Sequence, residues 1–174
     1  ETLVDEPDRW RHCDRRVIVH IRLLAVGDRQ PSWVDEAFDI YAGRLPRDWK
    51  FHIEAIGTVR RQKNDKTRKA AEAEGELILA RLDKSELVVL LDERGRQLSS
   101  RGLAEKLSDW QGEGRDLCFV IGGPDGVSGA CRERANFTWS LSQLTLPHGL
   151  ARVLLAEQLY RAHSLQVGHP YHRE

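Results

Sequence analysis

Two short runs, Glu86-Leu87-Val88-Val89-Leu90-Leu91 and Leu117-Cys118-Phe119-Val120-Ile121, are apolar almost without interruption. A strand with no polar face must be covered on both sides, and a parallel sheet flanked by helices supplies that cover. The segments around these runs alternate strand and helix. Val17 to Val26 is rich in β-branched and aliphatic residues and closes at Gly27, and Trp49 to Ile56 alternates well enough for a second strand. Pro31-Ser32 opens a helix carrying Trp33, Ala37, Phe38 and Tyr41; another runs from the basic stretch Arg60 to Lys69 through Leu82. Ser99 or Ser100 caps a third, ending near Gly112. A short helix from about Ser128, a strand near Ser140 to Leu146 and a long helix from Pro147 to Gln166 follow. The order predicts an α/β fold: one domain without repeats, a mostly parallel sheet and helices on both faces.

Composition narrows the class. The 174 residues suit one domain, with 27 basic side chains balancing 27 acidic ones. At 40% hydrophobic and 31% charged, the chain is too apolar for disorder and too charged for a membrane bundle. No apolar run approaches the roughly 18 residues of a membrane span. Three cysteines, Cys13, Cys118 and Cys131, without a C-x-x-C, argue against a disulfide scaffold and a cysteine zinc site. Residues 1–16 hold five acids and four bases without an apolar signal core, and there is no methionine. They read as a disordered N-terminal extension from an over-extended or processed start, with residues 17–174 as the single domain of a cytoplasmic protein.

The last helix is apolar on more than one face. Between Pro147 and Gln166 only Arg152, Glu157 and Arg161 carry full charges, while Leu150, Val153, Leu154, Leu155, Leu159 and Tyr160 spread around it. One side packs on the sheet; the other predicts a homodimer.

Three features point to chemistry. Gly122-Gly123-Pro124-Asp125-Gly126 follows a buried strand at the carboxyl edge, where open α/β sheets bind ligands. It is either a ligand-wrapping turn or an ordinary tight one, and no G-x-G-x-x-G or G-x-x-x-x-G-K accompanies it. The ending Gly168-His169-Pro170-Tyr171-His172-Arg173-Glu174 is either a frayed tail or a cluster of contacts. His169 and His172 invite a metal, but Pro170 breaks the helix that would align them and no further ligand is near, so no metal is expected. Histidine titrates near neutrality, which suits His148 and His172 to proton exchange. From Arg60 to Lys69 there are six bases and one acid, a positive island that is either a solvated face or a phosphate-binding surface.

Four linked segments carry a resemblance: Ile121 to Gly126; Trp139-Ser140-Leu141-Ser142-Gln143-Leu144-Thr145-Leu146-Pro147-His148; Arg152 to Ala162; and His169 to Glu174. With Leu23 to Gly27 and Pro31 to Val34 at the other end, the chain resembles the ribosomal RNA large subunit methyltransferase H family of the SPOUT superfamily. The resemblance implies a homodimer whose C-terminal part is a trefoil knot around S-adenosylmethionine, with S-adenosylhomocysteine as product. It implies methylation at N3 of a pseudouridine in the intersubunit loop of 23S ribosomal RNA, on the assembled ribosome. Carried over by position, Leu91, Gly122 and Leu141-Ser142-Gln143-Leu144-Thr145-Leu146 would bind the cofactor. Tyr171, His172 and Arg173 would approach the methyl group and the base, in a site completed by the other subunit. His172 or His148 would take the N3 proton, with His172 favoured because it flanks the arginine, and Arg173 would stabilise charge developing on the base. Arg60, Arg61, Lys63 and Lys66 would hold RNA phosphates. Gly149 departs from the family, where proline is common, and predicts a looser turn there. The competing readings are another SPOUT methyltransferase and a non-catalytic RNA-binding module.

Overall fold

In a computed structural model, which describes residues 19–59 and 67–173, the apolar runs become the centre of one sheet. β1 (Ile21–Val26), β2 (His52–Ile56), β3 (Leu87–Gln97), β4 (Leu117–Ile121) and β5 (Phe137–Ser140) lie in the order β2-β1-β4-β3-β5. Every pairing is parallel. Because side chains alternate along a strand, neighbours separate to opposite faces. Leu23, Val89 and Phe119 pack under α1 (Ser32–Ala42), α3 (Ser100–Gly112) and α5 (His148–Val167), where they meet Phe38, Leu107 and Leu159. Leu24, Val88 and Val120 pack under α2 (Thr67–Leu79) and α4 (Gly129–Arg134), against Ile78 and Cys131. The predicted α/β architecture with helices on both faces is thus the observed one.

Caps follow the sequence closely. Ser99 accepts the Gly102 amide (3.1 Å) and Ser128 that of Cys131 (3.2 Å) at the starts of α3 and α4. At the amino edge of the sheet, the Arg22 guanidinium donates to Glu86 Oε1 (2.7 Å) and Glu54 Oε1 (2.9 Å), joining β1 and β2 to the start of β3.

Several boundaries need correction. Val17 and Ile18 lie outside the described residues, so β1 begins at Ile21. Trp49 is not in a strand: it ends a 3₁₀ helix, Arg47–Trp49, and packs edge-on against His163 at 5.2 Å, so β2 starts only at His52. Helix α2 stops at Leu79. Leu91 does not end its strand. β3 runs on through Asp92-Glu93-Arg94-Gly95-Arg96-Gln97, with an irregularity between Leu91 and Arg96, and β5 pairs again with its last residues, Arg96 and Gln97. Gly95 permits the close approach of the two strands there, since a Cβ would meet the Trp139 carbonyl carbon at 2.6 Å. The strand expected at Ser140 to Leu146 lies earlier, at Phe137–Ser140; the Ser140 hydroxyl donates to the Ser142 carbonyl (2.8 Å) and turns the chain out of the sheet.

Candidate active site

A cavity of about 480 Å³ opens at the carboxyl ends of β3 and β4. Its floor is the Gly122-to-Gly126 turn, closed by the Gly126 amide donating to the Gly123 carbonyl (2.9 Å), with Gly126 at φ +84°. Only glycine fits at 122: a Cβ would meet Val127 Cγ1 at 2.5 Å and the Gly126 carbonyl oxygen at 2.9 Å. The cavity's wall is the chain after β5. Leu141, Ser142, Leu144, Thr145 and Leu146 line it, as do Leu91 and His148. The Ser142 hydroxyl accepts the Leu144 amide (2.9 Å) and fixes that wall's path. The Gln143 side chain instead turns outward and donates to Gln97 Oε1 (3.3 Å).

Sequence reasoning missed the rim. Asp92, Glu93 and Arg94 on the β3 extension, with Asp125 and Arg132, also line the cavity, and Arg132 pairs with Asp92. The signal was present: charged residues directly after a buried parallel strand sit at the edge where such sheets bind ligands.

His148 begins α5 one turn before Arg152. Burial, and then the Arg152 charge, hold the His148 imidazole below its ordinary range, so it is neutral near pH 7. Arg152 is itself buried and donates to the carbonyls of Val26 and Gly27 at the end of β1. Between them Gly149 is tightly packed rather than loose: a Cβ there would meet Gln30 Oε1 and Val34 Cγ2, both at 2.9 Å.

The tail is a built structure. Pro170–Arg173 form a 3₁₀ turn, and the Tyr171 ring lies 4.6 Å from that of Tyr160. The Tyr171 hydroxyl donates to Glu157 Oε1 (3.1 Å), which also accepts from Arg161 Nε (2.9 Å). Burial, and then the Glu157 carboxylate, push the Tyr171 phenol above its ordinary range, so it remains a donor. Arg173 is exposed. His172 is half-buried, and its Nδ1 has no hydrogen-bond partner among the described residues. None of Tyr171, His172 and Arg173 lines the cavity of its own chain.

Arg60, Arg61, Lys63 and Lys66 lie outside the described residues. Among the described residues no group of three or more His, Cys, Asp or Glu is arranged to hold a metal, and no helix is long and apolar enough to cross a membrane.

Comparison with known proteins shows the family of the chain. The family described as "Predicted SPOUT methyltransferase" matches residues 19–172. A ribosomal RNA large subunit methyltransferase H from Thioalkalivibrio sulfidiphilus (strain HL-EbGR7) is 51% identical over 156 residues, 90% of this chain and all of that protein. Proteins of the same name from Hahella chejuensis and Methylococcus capsulatus are 48% and 46% identical, over 90% and 89% of this chain and all of each relative. Solved structures of a probable methylase family protein from Haemophilus influenzae Rd KW20 and a probable rRNA-methyltransferase from Porphyromonas gingivalis superpose with TM-scores of 0.52 and 0.51. Each is 15% identical over 88% of this chain, spanning 69% and 71% of theirs, which is likeness of fold.

Proposed function

The chain belongs to the ribosomal RNA large subunit methyltransferase H family of SPOUT methyltransferases, and from that premise we propose that it methylates N3 of a pseudouridine in 23S ribosomal RNA on the assembled ribosome. The observation that carries the proposal is the glycine-floored cavity walled by the chain from Leu141 to Leu146, because it opens at the carboxyl edge where parallel sheets bind ligands. The cavity fits S-adenosylmethionine. Its volume is in the range of pockets for ligands of that size. Gly122 lets the turn fold tightly under the cavity, Leu91, Leu141 and Leu146 offer apolar walls for a flat base, and Glu93 lies at the rim as a carboxylate for a cation. Bound there, S-adenosylmethionine supplies an electrophilic methyl group and leaves as S-adenosylhomocysteine.

The chain's own contribution is alignment and proton handling. A uracil-type N3 carries a weakly acidic proton that must depart as the methyl group arrives. His172 accepts it, Arg173 holds the negative charge developing on the neighbouring carbonyl oxygen, and the neutral His148 is the alternative acceptor at the cavity wall. Since the tail does not line its own cavity, the site is shared between two copies. Trp33 and Ile40 on α1 and Leu150 on α5 are 51%, 56% and 43% exposed, an apolar exterior suited to a homodimer. Membership of the SPOUT family supports a knotted path for the C-terminal chain. Arg60, Arg61, Lys63 and Lys66 supply phosphate contacts on the RNA.

Mass spectrometry of the 23S ribosomal RNA loop from cells with and without this gene, paired with calorimetry of the protein against S-adenosylhomocysteine, tests the proposal. Loss of one methyl group on a pseudouridine, with stoichiometric binding, is expected. An unchanged loop overturns the assignment of substrate, and absence of binding overturns the enzymatic reading.

A further inference from the structure

The three tyrosines of this chain, Tyr41, Tyr160 and Tyr171, surround a single guanidinium. Arg44 Cζ lies 5.6 Å from the Tyr41 ring centroid, 5.7 Å from that of Tyr160 and 5.9 Å from that of Tyr171. Tyr171 has a second cation as well, Arg161, whose Cζ lies 4.9 Å from the ring centroid. Guanidinium groups within about 6 Å of a ring centroid are attracted to its electron-rich face. The tail aromatic thus has cations near it from two places, just after α1 and the middle of α5.

The second attachment has a geometric consequence. Glu157 and Arg161 tether Tyr171 to α5, about which a four-residue turn can still pivot, whereas Tyr41, which hydrogen-bonds Tyr171, and Arg44 hold it from α1. Arg44 follows the last turn of α1, where its amide donates to the Tyr41 carbonyl (3.1 Å). It therefore ties the tail to the helix that also presents Trp33 and Ile40 to the exterior. We propose that Arg44 is a positioning residue for methyl transfer: by filling the three-tyrosine cage it fixes the Pro170–Arg173 turn relative to the subunit interface, so that His172 and Arg173 reach the cavity of the second copy. The inference rests on the reading of the site given above.

Because the chain holds three tyrosines, 3-fluorotyrosine labelling gives three fluorine resonances, all of which face Arg44. Wild type, R44Q and R44K are compared as full-length protein, with undermethylated ribosomes as substrate. R44Q is expected to move all three resonances, to bind S-adenosylhomocysteine within twofold of wild type, and to lower kcat about tenfold with little change in KM, the signature of misplacement rather than lost binding. R44K keeps the cation and recovers part of the rate. Unmoved resonances overturn the inference, as does an unchanged kcat. A raised KM with normal kcat also overturns it, because that marks a phosphate contact instead. A wild-type protein that transfers no methyl group overturns the reading of the site, and the fluorine spectra then still decide whether Arg44 holds the tail.

Discussion

Arg152, in the second turn of α5, donates to the carbonyl of Gly27, the residue that closes β1 125 positions earlier. The same guanidinium also reaches the Val26 carbonyl (3.2 Å), so the last helix satisfies the end of the first strand. Arg152→Leu leaves both carbonyls without that donor in a buried setting, and the expected loss is about 2 kcal/mol after the relief of burying a charge. Urea denaturation checks it: the midpoint falls while the slope stays the same. An unchanged midpoint would falsify this account of Arg152.

The neutral state of His148 carries a pH signature. Its folded value is lowered, first by burial and then by Arg152, so the unfolded chain binds the proton more readily. This contribution to stability is complete above the unfolded value of about 6.5 and is lost as pH falls from there through the folded value. His148→Asn should flatten that part of the stability profile between pH 7 and 5. Arg152→Leu should shift the His148 titration upward in a proton NMR series, and a shift in the other direction refutes the coupling.

Gly122 makes a sharper case. Its missing Cβ would run into both Val127 Cγ1 and the backbone oxygen of Gly126. Gly122→Ala should therefore weaken S-adenosylhomocysteine binding tenfold or more in calorimetry, at about 1.4 kcal/mol per decade. Adding Val127→Ala removes the flexible obstacle and leaves the rigid one, so the double variant should recover only part of the affinity. Full recovery would mean that the turn itself has no role in the cavity.

Much of this was legible beforehand, and the failures share a cause. Residues 117–121, a cap at Ser99 or Ser100 and a helix start near Ser128 announced themselves because local patterning agreed with the tertiary structure. The extension of β3 was invisible because only Arg96 and Gln97 rejoin β5, past an irregularity after Leu91, and backbone pairing leaves no mark in side-chain polarity. Trp49 alternated like a strand residue but is buried by a tertiary contact to His163. In the site, the glycine turn and the wall Leu141 to Leu146 were named from motifs, whereas the rim of Asp92, Arg94 and Arg132 comes from elements that only folding brings together. The separation of tail and cavity within one chain is likewise a property of the packed structure.

The basic run is tested by salt. If Arg60, Arg61, Lys63 and Lys66 neutralise phosphates, replacing all four with glutamine should weaken ribosome binding uniformly. It should also reduce the slope of log affinity against log salt by about 3, taking roughly 0.7 per contact on non-duplex RNA. A slope equal to wild type returns these residues to a solvated surface.

The shared site predicts complementation between two inactive chains. Deleting residues 171–174 removes the tail that approaches the base while leaving the cavity residues in place, so that variant should bind S-adenosylhomocysteine and transfer no methyl group. Gly122→Ala has the opposite defect, an intact tail and a blocked floor. In a two-fold dimer each cavity receives the tail of the other chain, so a mixed dimer contains one complete site and one doubly defective site. The mixed dimer should then show about half of wild-type methyl transfer, from two parents that each have little. Co-expression with two different affinity tags and assay of the doubly tagged fraction measures this directly. Activity at the level of the parents means that each chain must furnish its own tail, and the division of the site between two copies is then wrong.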